Sequence, residues 1–127
     1  MKGIAAKTPI FIMATATKDG KPNGVPIGLA KIISDDEIML VDNFMNKTWQ
    51  NIDENPIVAV SFWSSKDLYG YQFKGKARVE TSGKLFDEAV QLLKKIKAPF
   101  SPKAVVVVRV NEIYYVGPGK DSSKNLV

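Results

Sequence analysis

Apolar and polar positions alternate with period two along most of this chain and switch to a helical period twice. Residues 9–17 read as a strand. It runs into Lys18-Asp19-Gly20-Lys21-Pro22-Asn23-Gly24, a segment dense in turn formers between two apolar runs, which is a hairpin signal. Residues 25–33 and 37–42 read as a second and a third strand around a Ser34-Asp35-Asp36 turn. Connections this short predict an antiparallel meander of the three. Residues 57–63 form a short apolar strand. Residues 69–81 alternate, with Tyr71, Phe73, Gly75, Ala77 and Val79 on one face and Gln72, Lys74, Lys76, Arg78 and Glu80 on the other. Residues 105–110 are β-branched except for Arg109, which predicts a strand buried on both faces and continuing towards Val116.

The first helical stretch covers residues 46–55. Met45, Trp49 and Ile52 would make its buried stripe, Asn46 can cap it, and Pro56 stops it. The second covers residues 85–97, with Leu85, Ala89, Leu92, Leu93 and Ile96 on one face. Asp87 and Glu88 lie early in it and Lys94, Lys95 and Lys97 late, as the helix dipole prefers. Many strands in a short chain need their edges covered. The expected fold is therefore mainly β: a six-stranded antiparallel split β-barrel with two short helices packed outside. No repeat or linker divides the chain, so residues 1–127 are expected to form a single domain with a loose polar tail from about 117.

Composition narrows the chemistry. The 127 residues are enough to bury a core without metal or disulfide staples. There is no cysteine, which excludes thiolate catalysis, disulfides and iron–sulfur or zinc-thiolate sites. There is no histidine, which excludes imidazole-ligated haem and Ser-His-Asp triads. A chain so poor in catalytic side chains is a binding module or carries an organic cofactor. No apolar run approaches a membrane span, and residues 1–8 lack a signal-peptide core, so a cytoplasmic protein without membrane association is expected. The net charge of +5 suits anionic ligands. All basic residues but Arg78 and Arg109 are lysines, spread along the chain, and no nucleic-acid motif accompanies them.

The informative stretch runs from Asp42 through Asn43, Phe44, Met45, Asn46, Lys47 and Thr48 to Ile52. It leads from a strand end across a short loop into a helix start, where unpaired N–H groups attract anions. Lys47 opposes the dipole there by about 0.3–1 kcal/mol unless an anion lies between them. Asp53 and Glu54 sit at the other end, so this helix runs against its dipole while the later one obeys it. A phosphate bound by Lys47, with the Thr48 hydroxyl as a further donor, accounts for that order. A solvated surface lysine accounts for it too, since one adverse charge is cheap.

These residues, with the Ile52-Asp53-Glu54-Asn55-Pro56 exit, Gly70-Tyr71-Gln72-Phe73-Lys74-Gly75 and Pro22-Asn23-Gly24-Val25-Pro26-Ile27-Gly28, resemble the pyridoxamine 5′-phosphate oxidase-like FMN-binding split-barrel family. The resemblance covers about residues 9–117 and is closer to the short FMN-binding proteins of that fold. It implies that Lys47 and Thr48 hold the FMN phosphate. It further implies that the backbone of Val25, Pro26 and Ile27 lies along the isoalloxazine ring, and that Asp42 and Asn43 line the ring and ribityl chain. Gln72 would reach the flavin, often that of the partner subunit, and Lys31 would supply a further basic contact. By pattern alone, Pro26 and Gly28 could equally mark an edge strand, Gln72 a solvated side chain, and Trp63, Tyr69 and Tyr71 core or interface aromatics.

The implied protein is a redox flavoprotein with FMN at a homodimer interface, acting as a carrier or a small-molecule reductase or oxidase with an unidentified electron partner. A deazaflavin (F420)-dependent reductase on the same fold is the alternative, and a basic nucleic-acid-binding barrel a more distant one. The chain ends soon after Tyr115 without a basic cluster, so it is not expected to oxidise pyridoxamine 5′-phosphate.

Overall fold

The computed structural model describes residues 11–42, 46–64, 69–99, 102–118 and 126. In chain order its elements are β1 Phe11–Ala16, β2 Pro22–Ile27, β3 Ala30–Ile32, β4 Glu37–Asp42, α1 Asn46–Glu54, β5 Ile57–Ser64, β6 Tyr69–Glu80, α2 Lys84–Lys95 and β7 Ala104–Val116. The seven strands form one sheet in the order β2-β1-β5-β6-β7-β4-β3, and every neighbouring pair is antiparallel. Among the described residues the split barrel thus has seven strands rather than six. The extra strand arises where the apolar run 25–33 breaks at Gly28 and Leu29, between β2 and β3. The expected three-strand meander does not form either. β1–β2 and β3–β4 are local hairpins, but β1 also pairs with β5 and β4 with β7, so β2 and β3 become opposite edges of the sheet.

That placement dictates the curvature. Two linking residues let the chain span at most about 11 Å between the ends of β2 and β3. In a flat sheet the two edge strands would stand about 29 Å apart. The sheet must therefore curl until its edge strands approach each other at the Gly28-Leu29 link. Beside that seam the Val41 N–H donates to the Leu29 carbonyl at 3.0 Å, as the β3–β4 register continues one step past Ala30–Leu40.

The inner face of the curl carries Met13, Val60, Phe73, Ile38, Leu40, Val106 and Val108, all fully buried. On the outer face, Met39, Val41, Val105 and Val107 pack under Ala89 and Leu93 of α2. Period-two alternation thus sends successive valines of β7 into two different clusters, which is why that strand is buried on both sides. Between β6 and β7 the register shifts at Lys74/Gly75. A side chain at Gly75 would run into the carbonyl of Arg109, so the bulge requires glycine.

α1 lies against the inner side of the curl. Ile52 is buried in the inner cluster and Trp49 packs on it. The Asn51 side-chain amide donates to the Thr15 hydroxyl at 3.0 Å, a buried bond that pins α1 to β1. Asn46 is the first helical residue rather than the cap before it, and Met45 lies outside the described residues. In the polar tail from 117, the Leu126 N–H donates to the Ile113 carbonyl at 2.7 Å, so that residue is held against β7 instead of hanging loose.

Candidate functional site

Two of the four sequence-predicted segments come together at the seam, and a third starts four residues further along the chain. Asp42 ends β4, opposite Ala104 of β7, and is one residue from the Val41–Leu29 hydrogen bond. Val25, Pro26 and Ile27 form the end of β2 that runs into the same seam. Lys47 and Thr48 occupy the second and third positions of α1, which starts shortly after Asp42. For Asp42, Lys47 and Thr48 the description is of the backbone, and Asn43 lies outside the described residues.

Within β2 the three residues play different parts. Ile27 is buried in the inner core and Val25 packs against it, so Pro26 alone presents its side chain outward. β2 is an edge strand, which is where a proline, lacking an N–H for a ladder, is tolerated.

Gln72 lies elsewhere. It is half-buried on the outer face of β6, and the register places it in a cross-strand row Pro26–Ile12–Ser61–Gln72–Tyr114. Three strand spacings separate Pro26 from Gln72, about 14 Å along the sheet. Gln72 therefore does not stand beside Pro26 in the same chain but three strands away from it.

The sheet between them was not anticipated as part of a site. The next row, Gly24–Ala14–Ala59–Lys74–Glu112, is small and apolar over its first three strands. Ile12 is 43% exposed and Trp63 45%, and neither α1 nor α2 packs on this face. The available signal was β1 itself, apolar on both parities, with Phe11 and Met13 inward and Ile12 and Ala14 outward. At the far side of the face the Tyr114 hydroxyl donates to Glu112 Oε1 at 2.6 Å, and Lys74 Nζ lies 5.2 Å from the Tyr114 ring centroid. The bond to Glu112 raises the Tyr114 pKa above its ordinary value.

Electrostatically the start of α1 is suited to an anion. It has no acidic residue in its first turn and no basic residue in its last, so nothing of its own balances the dipole in either place. A phosphate fits that donor set, and the flat row of proline, glycine and alanines fits a planar ring. The Trp49 indole N–H, in the same helix, is buried without a hydrogen-bond partner. Among the described residues no group of three or more acidic side chains is placed to hold a metal, and no helix is long and apolar enough to cross a membrane.

Comparison with known proteins agrees with this architecture. The chain is 38% identical over 117 residues to the uncharacterised protein MJ0282 of Methanocaldococcus jannaschii, covering 91% of this chain and 78% of that one. Its fold matches HupZ of Group A Streptococcus with a TM-score of 0.84 at 25% identity, over 96% of this chain and 95% of that one. It also matches an FMN-binding protein from Syntrophomonas wolfei with a TM-score of 0.79 at 20% identity, over 92% and 83% of the two chains. The family described as pyridoxamine 5′-phosphate oxidase matches residues 1–117. With that match extending over nearly the whole chain and the split barrel beneath it, the protein belongs to the pyridoxamine 5′-phosphate oxidase-like family.

Proposed function

We propose that this chain is a single-domain FMN-binding redox protein that works as a homodimer. The observation that carries the reading is the seam. The end of β2 lies beside Asp42 there, and α1 starts four residues after Asp42 with charges that run against its dipole. In this reading Lys47 and Thr48 hold the phosphate, the backbone of Val25, Pro26 and Ile27 lies along the ring, and Asp42 and Asn43 line the ribityl side. When bound, FMN supplies reversible two-electron chemistry, which a chain without cysteine or histidine cannot supply from its own side chains.

The separation of Pro26 from Gln72 supports the dimer. A second copy, laid by two-fold symmetry on the open face around Ile12, Ala14, Ala59 and Trp63, buries those residues. It also brings its own Gln72 towards the first copy's ring. The FMN-binding protein of the same fold supports the choice of flavin.

The absorbance spectrum of freshly purified protein tests the cofactor. A flavin spectrum is expected, with FMN rather than FAD released by heat. An absorbance maximum near 420 nm identifies a deazaflavin instead, and a colourless protein that takes up no added FMN overturns the reading. Light scattering of the flavin-bound protein tests the assembly, with twice the 14.0 kDa chain mass expected.

A further inference from the structure

Among the described residues no lysine makes an ion pair. The pairs present belong to Arg78 and Arg109, with Asp36, Glu37 and Glu80. A group of uncompensated lysines lies at the end of α2, where Lys94, Lys95 and Lys97 are exposed, and Lys103, just before β7, is exposed too. Among them Ile96 is 56% exposed.

The helix dipole accounts for Lys94 and Lys95, in the last turn. It does not account for Lys97, which lies beyond the helix at φ 58. The Lys97 N–H donates to the Lys94 carbonyl at 3.1 Å and the Ala98 N–H to the Leu93 carbonyl at 3.0 Å. This is the Schellman arrangement, whose left-handed position favours glycine. A lysine there sets one more charge beside the outward-facing Ile96, at some conformational cost.

Lys95 also lines a cleft of about 680 Å³ together with Lys31, Lys84, Met39 and Leu92, and Asp87 and Glu88 border it as well. Lys31 pairs with Met39, two residues along β3 from the Leu29–Val41 hydrogen bond beside the seam, or about 7 Å. The basic patch is thus continuous with a cleft that reaches the side of the proposed flavin site.

We infer that this surface docks an acidic electron-carrier protein that exchanges electrons with the flavin, an inference that rests on the proposed redox function. A small apolar centre ringed by charges of one sign suits a weak, electrostatically steered encounter. One isoleucine offers too little apolar area to anchor on a lipid surface. Stacking of nucleic-acid bases needs exposed aromatics, and the exposed apolar side chain among these lysines is Ile96. The exchange balances with two one-electron carriers. Each gives one electron to oxidised FMN, and water supplies two protons to complete the dihydro form.

The test is anaerobic stopped-flow reduction of the FMN-loaded dimer by a reduced acidic [2Fe–2S] ferredoxin over a range of salt concentrations. The patch variant is Lys95→Gln/Lys97→Gln/Lys103→Gln. The control, Lys18→Gln/Lys21→Gln/Lys76→Gln, removes equal charge from exposed lysines elsewhere. At low salt the patch variant should react about tenfold more slowly than wild type and lose most of its salt dependence, with the control within about twofold. Lys97→Gly, which suits the left-handed backbone, should fold at least as well as wild type and still slow the reaction. Dithionite should reduce all forms at one rate.

Equal rates for patch and control overturn the inference. So does binding to phosphatidylserine vesicles or to DNA that is lost with the same lysines while ferredoxin binding is not. If the protein takes up no flavin, the redox reading fails by itself. NMR titration with ferredoxin then judges the patch separately, and equal shifts in patch and control variants reject it.

Discussion

The two helices among the described residues are built on opposite principles. α2 has Asp87 in its first turn and Lys94 and Lys95 in its last, and its Ala89 and Leu93 rest in an apolar cluster with Met39, Val41, Val105 and Val107. Its charges and its packing both favour it. α1 has Lys47 at its second position and Asp53 and Glu54 at its end. It is attached by one buried isoleucine, a half-buried tryptophan whose N–H has no partner, and a buried amide–hydroxyl bond. A chain that charges one helix in accord with its dipole is able to do so for the other. Departure from local rules at α1 accords with the proposal that this helix is kept for what it binds.

The largest effect that sharpens this contrast is expected in α2. Leu93→Ala should lower stability by about 2–5 kcal/mol, measured by urea unfolding, with FMN affinity of the folded fraction unchanged. A large loss of FMN affinity would show that α2 belongs to the site.

Lys47→Ala should do the reverse. Removing a charge-assisted contact to phosphate costs about 1.5–3 kcal/mol of binding, or roughly one to two orders of magnitude in FMN affinity. Riboflavin, which lacks the phosphate, should bind wild type and variant alike, and stability without ligand should hold or rise slightly. Equal losses for both flavins would move Lys47 from the phosphate to the ring or the fold. Unchanged affinity for both would make it a solvated lysine.

Asn51→Ala leaves the Thr15 hydroxyl buried without its partner and should cost about 1–3 kcal/mol. With Thr15→Val as the second mutation, a double-mutant cycle isolates the pair. Additivity would mean that the bond does not hold α1 in place. The smallest effect is the dipole itself. Lys95→Ala should destabilise the protein by about 0.3–1 kcal/mol, less at high salt, without altering FMN binding.

Much of the architecture was legible in the chain because local pattern and tertiary burial agree in it. The alternation of β6 and the β-branched run of β7 appear where period two places them, and Pro56 ends α1 as the restriction before proline requires. The failure at residues 25–33 has a physical cause. Val25, Ile27, Leu29, Ile32 and Ile33 make one apolar run because the chain is packed on both sides of the seam, so nothing in hydrophobicity marks the change of sheet edge. Gly28 is the one local hint. Parallel reasoning explains the site. The helix start can be read from charge order, but the distance between Pro26 and Gln72 depends on two intervening strands, β1 and β5, that come from distant parts of the chain. The Asn51–Thr15 bond likewise joins residues with no sequence pattern in common.

The two-residue link between β2 and β3 also bears on how the chain reaches its fold. The β1–β2 and β3–β4 hairpins close locally and lie in the part of the chain made first by the ribosome. Neither can pair with the other, since each needs a strand made later: β5 beside β1, and β7 beside β4. Completion therefore waits on the most distant ladder, β4 with β7, and such non-local closure is slow. Meanwhile the inner edges of both hairpins stand open, which is when a nascent chain associates wrongly with its neighbours. Slow refolding that is unaffected by substitutions within the β1–β2 turn, and slowed by substitutions at Val106 or Val108, would place the rate-limiting event at that last ladder.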